Sequence, residues 1–294
     1  MVGPTITGGP VFIDAHTHAF LRKDLGVLNR RLTMLDDVLK DDDPHKWRLH
    51  GDGTLEDLVA RQRSLGADRF VLLPMTGKPA RVGELNRWSA EAAQTYPEVI
   101  PFAIVHPAGD VAADLQAAVA LGLKGVKLHP FIQRFELDHP GVQRLFELLP
   151  ETGLPVVLDT VYIRGLLKAK PHLEWVVRML NQQGCEPTEI AALAAAHPRV
   201  PIIAAHGGSL YGWHKLDPLM ELDNVYFDIS YISYLIEPAR LVEIIRTKGV
   251  ERIIYGSDSP WRDPAKFRAW FDELELGPEE RRAITAGNIL SLID

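Results

Sequence analysis

Two histidines one residue apart are the first sign of chemistry in this chain, in the run Ile13-Asp14-Ala15-His16-Thr17-His18. If the run is a strand, its period of two sends both imidazoles to one face at the carboxyl end. Two imidazoles so placed are a ready pair of ligands for a divalent metal. The pattern is short, and it equally fits two unrelated polar residues at the start of a loop. Further ionisable residues end other apolar runs. Lys127-Leu128-His129 closes one, Leu158-Asp159 another, Ala204-Ala205-His206-Gly207-Gly208 a third and Tyr255-Gly256-Ser257-Asp258 a fourth. One such ending is a modest coincidence. Five imply residues converging on one mouth, because buried charges need a partner or a metal ion.

Positioning them takes parallel strands that end together. Apolar runs suited to strands are Val11–Ala15, Phe70–Leu73, Ile100–Val105, Gly125–Leu128, Pro155–Leu158, Pro201–Ala205, Val225–Ile229 and Arg252–Tyr255. Amphipathic stretches alternate with them: Leu55–Leu65, Gly83–Tyr96, Val111–Leu121, Val142–Glu151, Thr188–Ala196, Pro238–Lys248 and Pro278–Leu292. Strict strand–helix alternation implies an α/β fold with parallel strands inside and helices outside. A (β/α)8 TIM barrel is the economical closure, with an open doubly wound sheet as the alternative. No linker or composition shift marks a boundary, so residues 1–294 are expected to form a single domain. Two segments are long for their place: 20–53, with the acidic run Asp41–Asp43, and 160–187, with a helix-like piece Leu173–Leu180. Both would leave the carboxyl ends of strands, where barrels place lids and binding loops.

Composition narrows the classes. The chain has 294 residues, 46% hydrophobic and 24% charged, the balance of a globular protein. Its net charge of −7 argues against a nucleic-acid partner. No window nears the roughly 18 apolar residues of a membrane span. The segment Ile6–Phe12 lacks a basic flank and is broken by Gly8, Gly9 and Pro10, so no secretory leader is expected. A single cysteine, Cys185, excludes an internal disulfide and a cysteine-based zinc site, and makes a reduced, cytoplasmic setting the default.

The motifs together resemble the amidohydrolase superfamily, in particular the metal-dependent hydrolase and decarboxylase branch called amidohydrolase family 2. The resemblance rests on Ile13–His18, Gly125–Pro130, His206, Asn224–Asp228, Gly256–Pro260 and the closing Gly287-Asn288-Ile289-Leu290. It implies that His16, His18 and Asp258 ligate one divalent metal, usually zinc, and that His206 sits beside the bound water or substrate as a possible general base. One departure stands out. The branch carries a metal-binding histidine where this chain has Asp159. An aspartate reaches less far than imidazole and makes the metal a weaker Lewis acid, and added oxygen donors favour manganese. Three arrangements stay open: Asp159 ligates, His129 takes its place, or the residues work without an ion. Some binuclear relatives carboxylate the lysine matching Lys127; here pairing with Asp14 or another carboxylate is expected instead. Asp14 is expected to orient a histidine, and Asp228 to support the site or touch substrate. His106, His172 and His197 read as structural or surface residues.

Arg134, Arg164, Trp213 and Arg262 are candidate substrate contacts, since guanidinium binds carboxylates in a fork and aromatic walls suit rings. The expected activity is metal-dependent hydrolysis of a small carboxylated lactone or cyclic amide, with His206 or Asp258 handling the proton. A decarboxylase of an aromatic or unsaturated acid is the alternative, and a barrel that binds small acids without catalysis is a third. The expected partners are a small-molecule substrate and a second copy in a homodimer, with neither nucleic acid nor membrane.

Overall fold

The structure, a computed structural model, describes residues 11–38 and 48–293. The acidic run 41–43 and most of the apolar segment before residue 11 lie outside them. Each expected strand forms, within a residue or two of its expected ends: β1 Ile13–Thr17, β2 Arg69–Leu72, β3 Val99–Pro101, β4 Ala103–Ile104, β5 Val126–Leu128, β6 Val156–Leu158, β7 Ile202–Ala204, β8 Val225–Asp228 and β9 Ile253–Ile254. Neighbours in sequence pair in parallel, β1 to β3 in one sheet and β4 to β9 in another. β3 and β4 are the two halves of the run expected at 100–105. Phe102 N bonds Leu72 O at 3.2 Å, whereas Ala103 N bonds Gly125 O at 2.8 Å, so the strand serves one neighbour with each half. At the far edges Ala15 N reaches Tyr255 O at 3.0 Å and Asp258 N reaches His16 O at 2.8 Å, and Thr17 bridges Ser259 in parallel. Those bonds join β9 to β1. The sheet is a closed (β/α)8 TIM barrel, as expected, and not the open alternative.

Both faces of the strands are dry, which parallel sheets require. Inside lie Ile13, Ala15, Val71, Ile100, Phe102, Val157, Ile203 and Ile254, closed off by Ile289 and Ile293 of the last helix. Outside, the helix Leu55–Leu65 lays Leu55, Leu58 and Val59 on Phe70 and Leu72. Thr54 caps its start, its Oγ1 accepting from Asp57 N at 3.2 Å, and Gly66 ends it with φ 77°. Such a cap contributes about 1 kcal/mol.

A local irregularity decides what β1 presents. Its register on β2 runs Asp14↔Phe70 and then Thr17↔Leu72, three residues against two. That extra residue is a β-bulge, which reverses the alternation. Before it, Ile13 and Ala15 face the barrel interior and Asp14 faces the helix Leu55–Leu65, where Gln62 Nε2 donates to it at 2.7 Å. Beyond it, His16 turns into the mouth.

Other differences from expectation have local causes. The stretch 278–292 is interrupted: a π-helical turn, Ala283–Gly287, separates the helices Pro278–Arg282 and Asn288–Ile293. The turn offers Ile284 O to Tyr255 N at 2.9 Å, and Asn288 Nδ2 bonds Ile253 O at 2.6 Å, so both ends of β9 are tied to it. A helix absent from the expectations, Pro264–Asp272, starts from Asp263, whose Oδ1 accepts from Ala265 N at 3.0 Å. The long segments after β1 and β6 carry helices of their own, Arg22–Val38, Ile163–Ala169 and Glu174–Met179. Among the described residues no helix is long and apolar enough to cross a membrane.

Barrel closure depends on Gly256. A Cβ there would lie 2.5 Å from His16 Cβ. Gly256→Ala is therefore expected to cost about 1–3 kcal/mol, the range for overpacking, read as a lower urea midpoint. An unchanged midpoint would show that β9 and β1 are not held at this spacing.

Candidate active site

Three side chains converge on the mouth from the β9–β1 seam. One ligand atom each from His16, His18 and Asp258 lies within 4.8 Å of the others, and all three residues are buried. His18 Nε2 is 3.1 Å and His16 Nε2 3.7 Å from Asp258 Oδ1. The bulge aims the imidazoles. A left-handed backbone at Asp258, φ 64°, turns its carboxylate back into the mouth two residues beyond Gly256.

The far nitrogen of each ring is already held. His16 Nδ1 donates to Asp228 Oδ2 at 2.8 Å, and His18 Nδ1 donates to Leu73 O at 2.8 Å. Nε2 is thereby the nitrogen each ring turns into the mouth, towards Asp258 and, for His16, also towards Lys127 Nζ at 3.3 Å. Holding the far nitrogen is the outer arrangement that metal-binding histidines use. Burial, with Lys127 nearby, pushes His16 down to about 4, so its ring is neutral as ligation requires. Burial works against charge on Asp258, yet His18, His16 and His206 hold it below the usual carboxylate range. Two imidazoles and one carboxylate fit a divalent ion with open positions left for substrate.

Asp228 therefore orients a histidine, the task expected of Asp14. Asp14 is on the other side of the strand, accepting from Gln62 Nε2, Ser257 N and Ser257 Oγ. The bulge is the reason, since a plain period of two would have put Asp14 and His16 on one face. Burial pushes Asp14 up to about 6. Ser230, which sequence reasoning missed, hydrogen-bonds Asp228 Oδ1 at 2.5 Å and lies 3.1 Å from His16 Nδ1 and 2.9 Å from His206 Nδ1. Its signal was its place two residues beyond Asp228. Gln62 was missed too, although a polar residue on the buried stripe of Leu55, Leu58 and Val59 demands a partner.

A second cluster gathers at the ends of β5, β6 and β7. Asp159 Oδ2 lies 3.1 Å from His206 Nε2, 3.3 Å from His129 Nε2 and 3.7 Å from Lys127 Nζ. Lys127 also reaches His16 Nε2 at 3.3 Å, linking the clusters, and the His16 and His206 rings stand 5.3 Å apart. Lys127 pairs with Asp159 rather than Asp14. Burial disfavours a charged His206, but Asp159, with Asp258 and Asp228, outweighs it and raises the imidazole to about 9. Burial pushes His129 down to about 3. His206 has a left-handed backbone, φ 60°, and its carbonyl accepts from Trp213 Nε1 at 2.9 Å.

The four candidate substrate contacts separate. Arg262 is buried against the site: its guanidinium lies 4.1 Å over the Tyr231 ring, and that ring meets His206 edge-on at 5.9 Å. Trp213 touches the site through His206. Arg134 is exposed at the end of the short helix Pro130–Gln133, and Arg164 is 79% exposed with its Nε 3.5 Å from Glu186. The structure does not bring those two to the buried clusters.

The family model described as amidohydrolase matches residues 13–293. The chain belongs to the amidohydrolase family. A comparison with curated proteins returns no significant match. Among solved structures, the chain is similar to an uncharacterised TIM-barrel protein from Bordetella bronchiseptica, with 17% identity, TM-score 0.73, and 96% and 97% of the two chains covered. It is also similar to a 5-carboxyvanillate decarboxylase from Novosphingobium aromaticivorans complexed with manganese and 4-hydroxy-3-methoxy-5-nitrobenzoic acid, with 17% identity, TM-score 0.72, and 97% and 96% covered. A protein described as a 2-pyrone-4,6-dicarboxylic acid hydrolase from Pseudomonas putida has 20% identity, TM-score 0.66, and 97% and 98% covered. At these identities the likeness is one of fold.

Asp228→Asn is expected to weaken metal binding about 10–100-fold, because His16 loses the charge that orients its ring. Competition with a chromogenic chelator measures this. Unchanged affinity would remove Asp228 from the site.

Proposed function

We propose that this protein is a hydrolase using one divalent ion, held by His16, His18 and Asp258, on a small carboxylated substrate such as a lactone or cyclic amide. The observation that carries the reading is a proton acceptor and a proton donor held in one mouth. Hydrolysis needs both, one to take the proton from water and one to supply the leaving atom. Asp258 is kept ionised by the imidazoles around it. His206 is kept protonated by Asp159 together with Asp258 and Asp228. Bound there, the ion would supply Lewis acidity towards the substrate carbonyl and towards water. Asp258 accepts the proton that water loses, and His206 donates towards the oxygen or nitrogen that leaves. Arg262, stacked on Tyr231 beside His206, presents its fork to the substrate carboxylate, and Tyr231 and Trp213 wall the mouth. Two imidazoles and a carboxylate suit zinc; manganese, present in the Novosphingobium decarboxylase, is the other candidate, and elemental analysis separates them.

The decarboxylase reading also has one observation in its favour. A protonated His206 is the donor that a ring carbon needs once carbon dioxide has left it. Product analysis on carboxylated lactones and on hydroxylated aromatic acids distinguishes the two. Ring opening without gas is the expected result, and carbon dioxide release with no opening would replace it with a lyase.

His206→Asn is expected to lower kcat by roughly 10²–10⁴ with metal content unchanged. Loss of the metal together with the rate would make His206 a ligand instead.

A further inference from the structure

Asp159 stands where the family resemblance implies a metal-binding histidine, yet it is absent from the group of atoms that converge at the seam. Its Oδ2 is committed elsewhere, to three nitrogens from the ends of β5 and β7. The hydrogen bonds of His206 make the commitment specific. Its Nδ1 faces Ser230 O at 3.1 Å and Ser230 Oγ at 2.9 Å, and the hydroxyl gives its own hydrogen to Asp228. Nδ1 is therefore a donor. Nε2 faces Asp159 Oδ2 at 3.1 Å and is a donor as well. The ring cannot turn without losing both bonds.

His129 shows the same dependence. Gln133 Oε1 accepts from its backbone N at 2.8 Å, and its ring Nε2 meets Asp159 at 3.3 Å. Lys127 is the third dependant. It is fully buried, and among the described residues Asp159 is the carboxylate with which it forms an ion pair. A buried ammonium without a counter-charge is costly. A histidine in place of Asp159 would set three imidazoles around that ammonium with no anion on this side of the mouth.

We propose that Asp159 is a positioning residue and not a metal ligand: it fixes the ring orientation of His206 and His129 and neutralises Lys127. The part concerning rate rests on the reading above, in which His206 donates a proton. A buried carboxylate that fixes the proton placement of an imidazole governs rate without displacing the ring. Asp159→Asn keeps the shape and removes the charge.

In Asp159→Asn, elemental analysis is expected to return the wild-type metal content. Histidine 15N spectra, assigned with His206→Gln and His129→Gln, should show changed His206 and His129 signals. With a turned-over substrate, kcat should fall about 10–100-fold while KM moves less. If the single change unfolds the chain, the Lys127→Met/Asp159→Asn pair removes both charges together and carries the same metal and spectral readouts. Metal lost on the substitution would make Asp159 a ligand and overturn the proposal, as would unchanged histidine signals. Neither readout needs a substrate, so failure of the hydrolase reading leaves them interpretable.

Discussion

The contact of β9 with β1 is the constraint on which the site depends. Three backbone bonds cross that seam, from Ala15 to Tyr255, from Asp258 to His16 and from His18 to Ser259. The second joins Asp258, in the turn after β9, to His16 on β1, so closing the barrel and assembling the ligand set are one event. Gly256 permits the approach and the β1 bulge decides which residues benefit. A strained backbone at Asp258 and at His206 is the cost of re-aiming these chains, and such strain collects where a fold holds functional groups.

Charge balance accounts for much of the remaining mouth. Asp14, Asp159, Asp228 and Asp258 are all buried, and each is answered differently. Asp14 takes neutral donors and its proton affinity rises. Asp228 holds a histidine that must stay neutral. Asp258 faces the imidazoles of the seam. Asp159 gathers Lys127, His129 and His206. The barrel thus carries a half suited to an ion and a half suited to moving a proton, with Lys127 between them. A buried polar network of this kind is stable only when its members are paired, which makes the two halves interdependent.

The architecture was legible in the sequence because apolar runs of four to six residues between helical stretches leave few alternatives. The pairing of His16 with His18 and their convergence with Asp258 were legible for the same reason, since strand ends in a barrel share one mouth. Asp14 was not legible, because a bulge is a register event and period-two reasoning assumes none. The arginines were not legible either. Arg134, Arg164 and Arg262 all follow strand ends, but a guanidinium reaches the site or the solvent according to loop geometry that residue type does not encode. Asp159 was visible as a departure, and His129 beside it followed from the adjacency of their strands, while its contacts with Lys127 and His206 became visible only once β5, β6 and β7 stood side by side.

The account is tested most directly by anomalous diffraction from crystals of the metal-loaded protein, recorded at the absorption edge of the bound ion. It predicts a single peak at the β9–β1 seam, about 2.0–2.2 Å from His16 Nε2, His18 Nε2 and a carboxylate oxygen of Asp258 if the ion is zinc. A peak coordinated by Asp159 or His129, or a catalytically active crystal form with no peak, would contradict it.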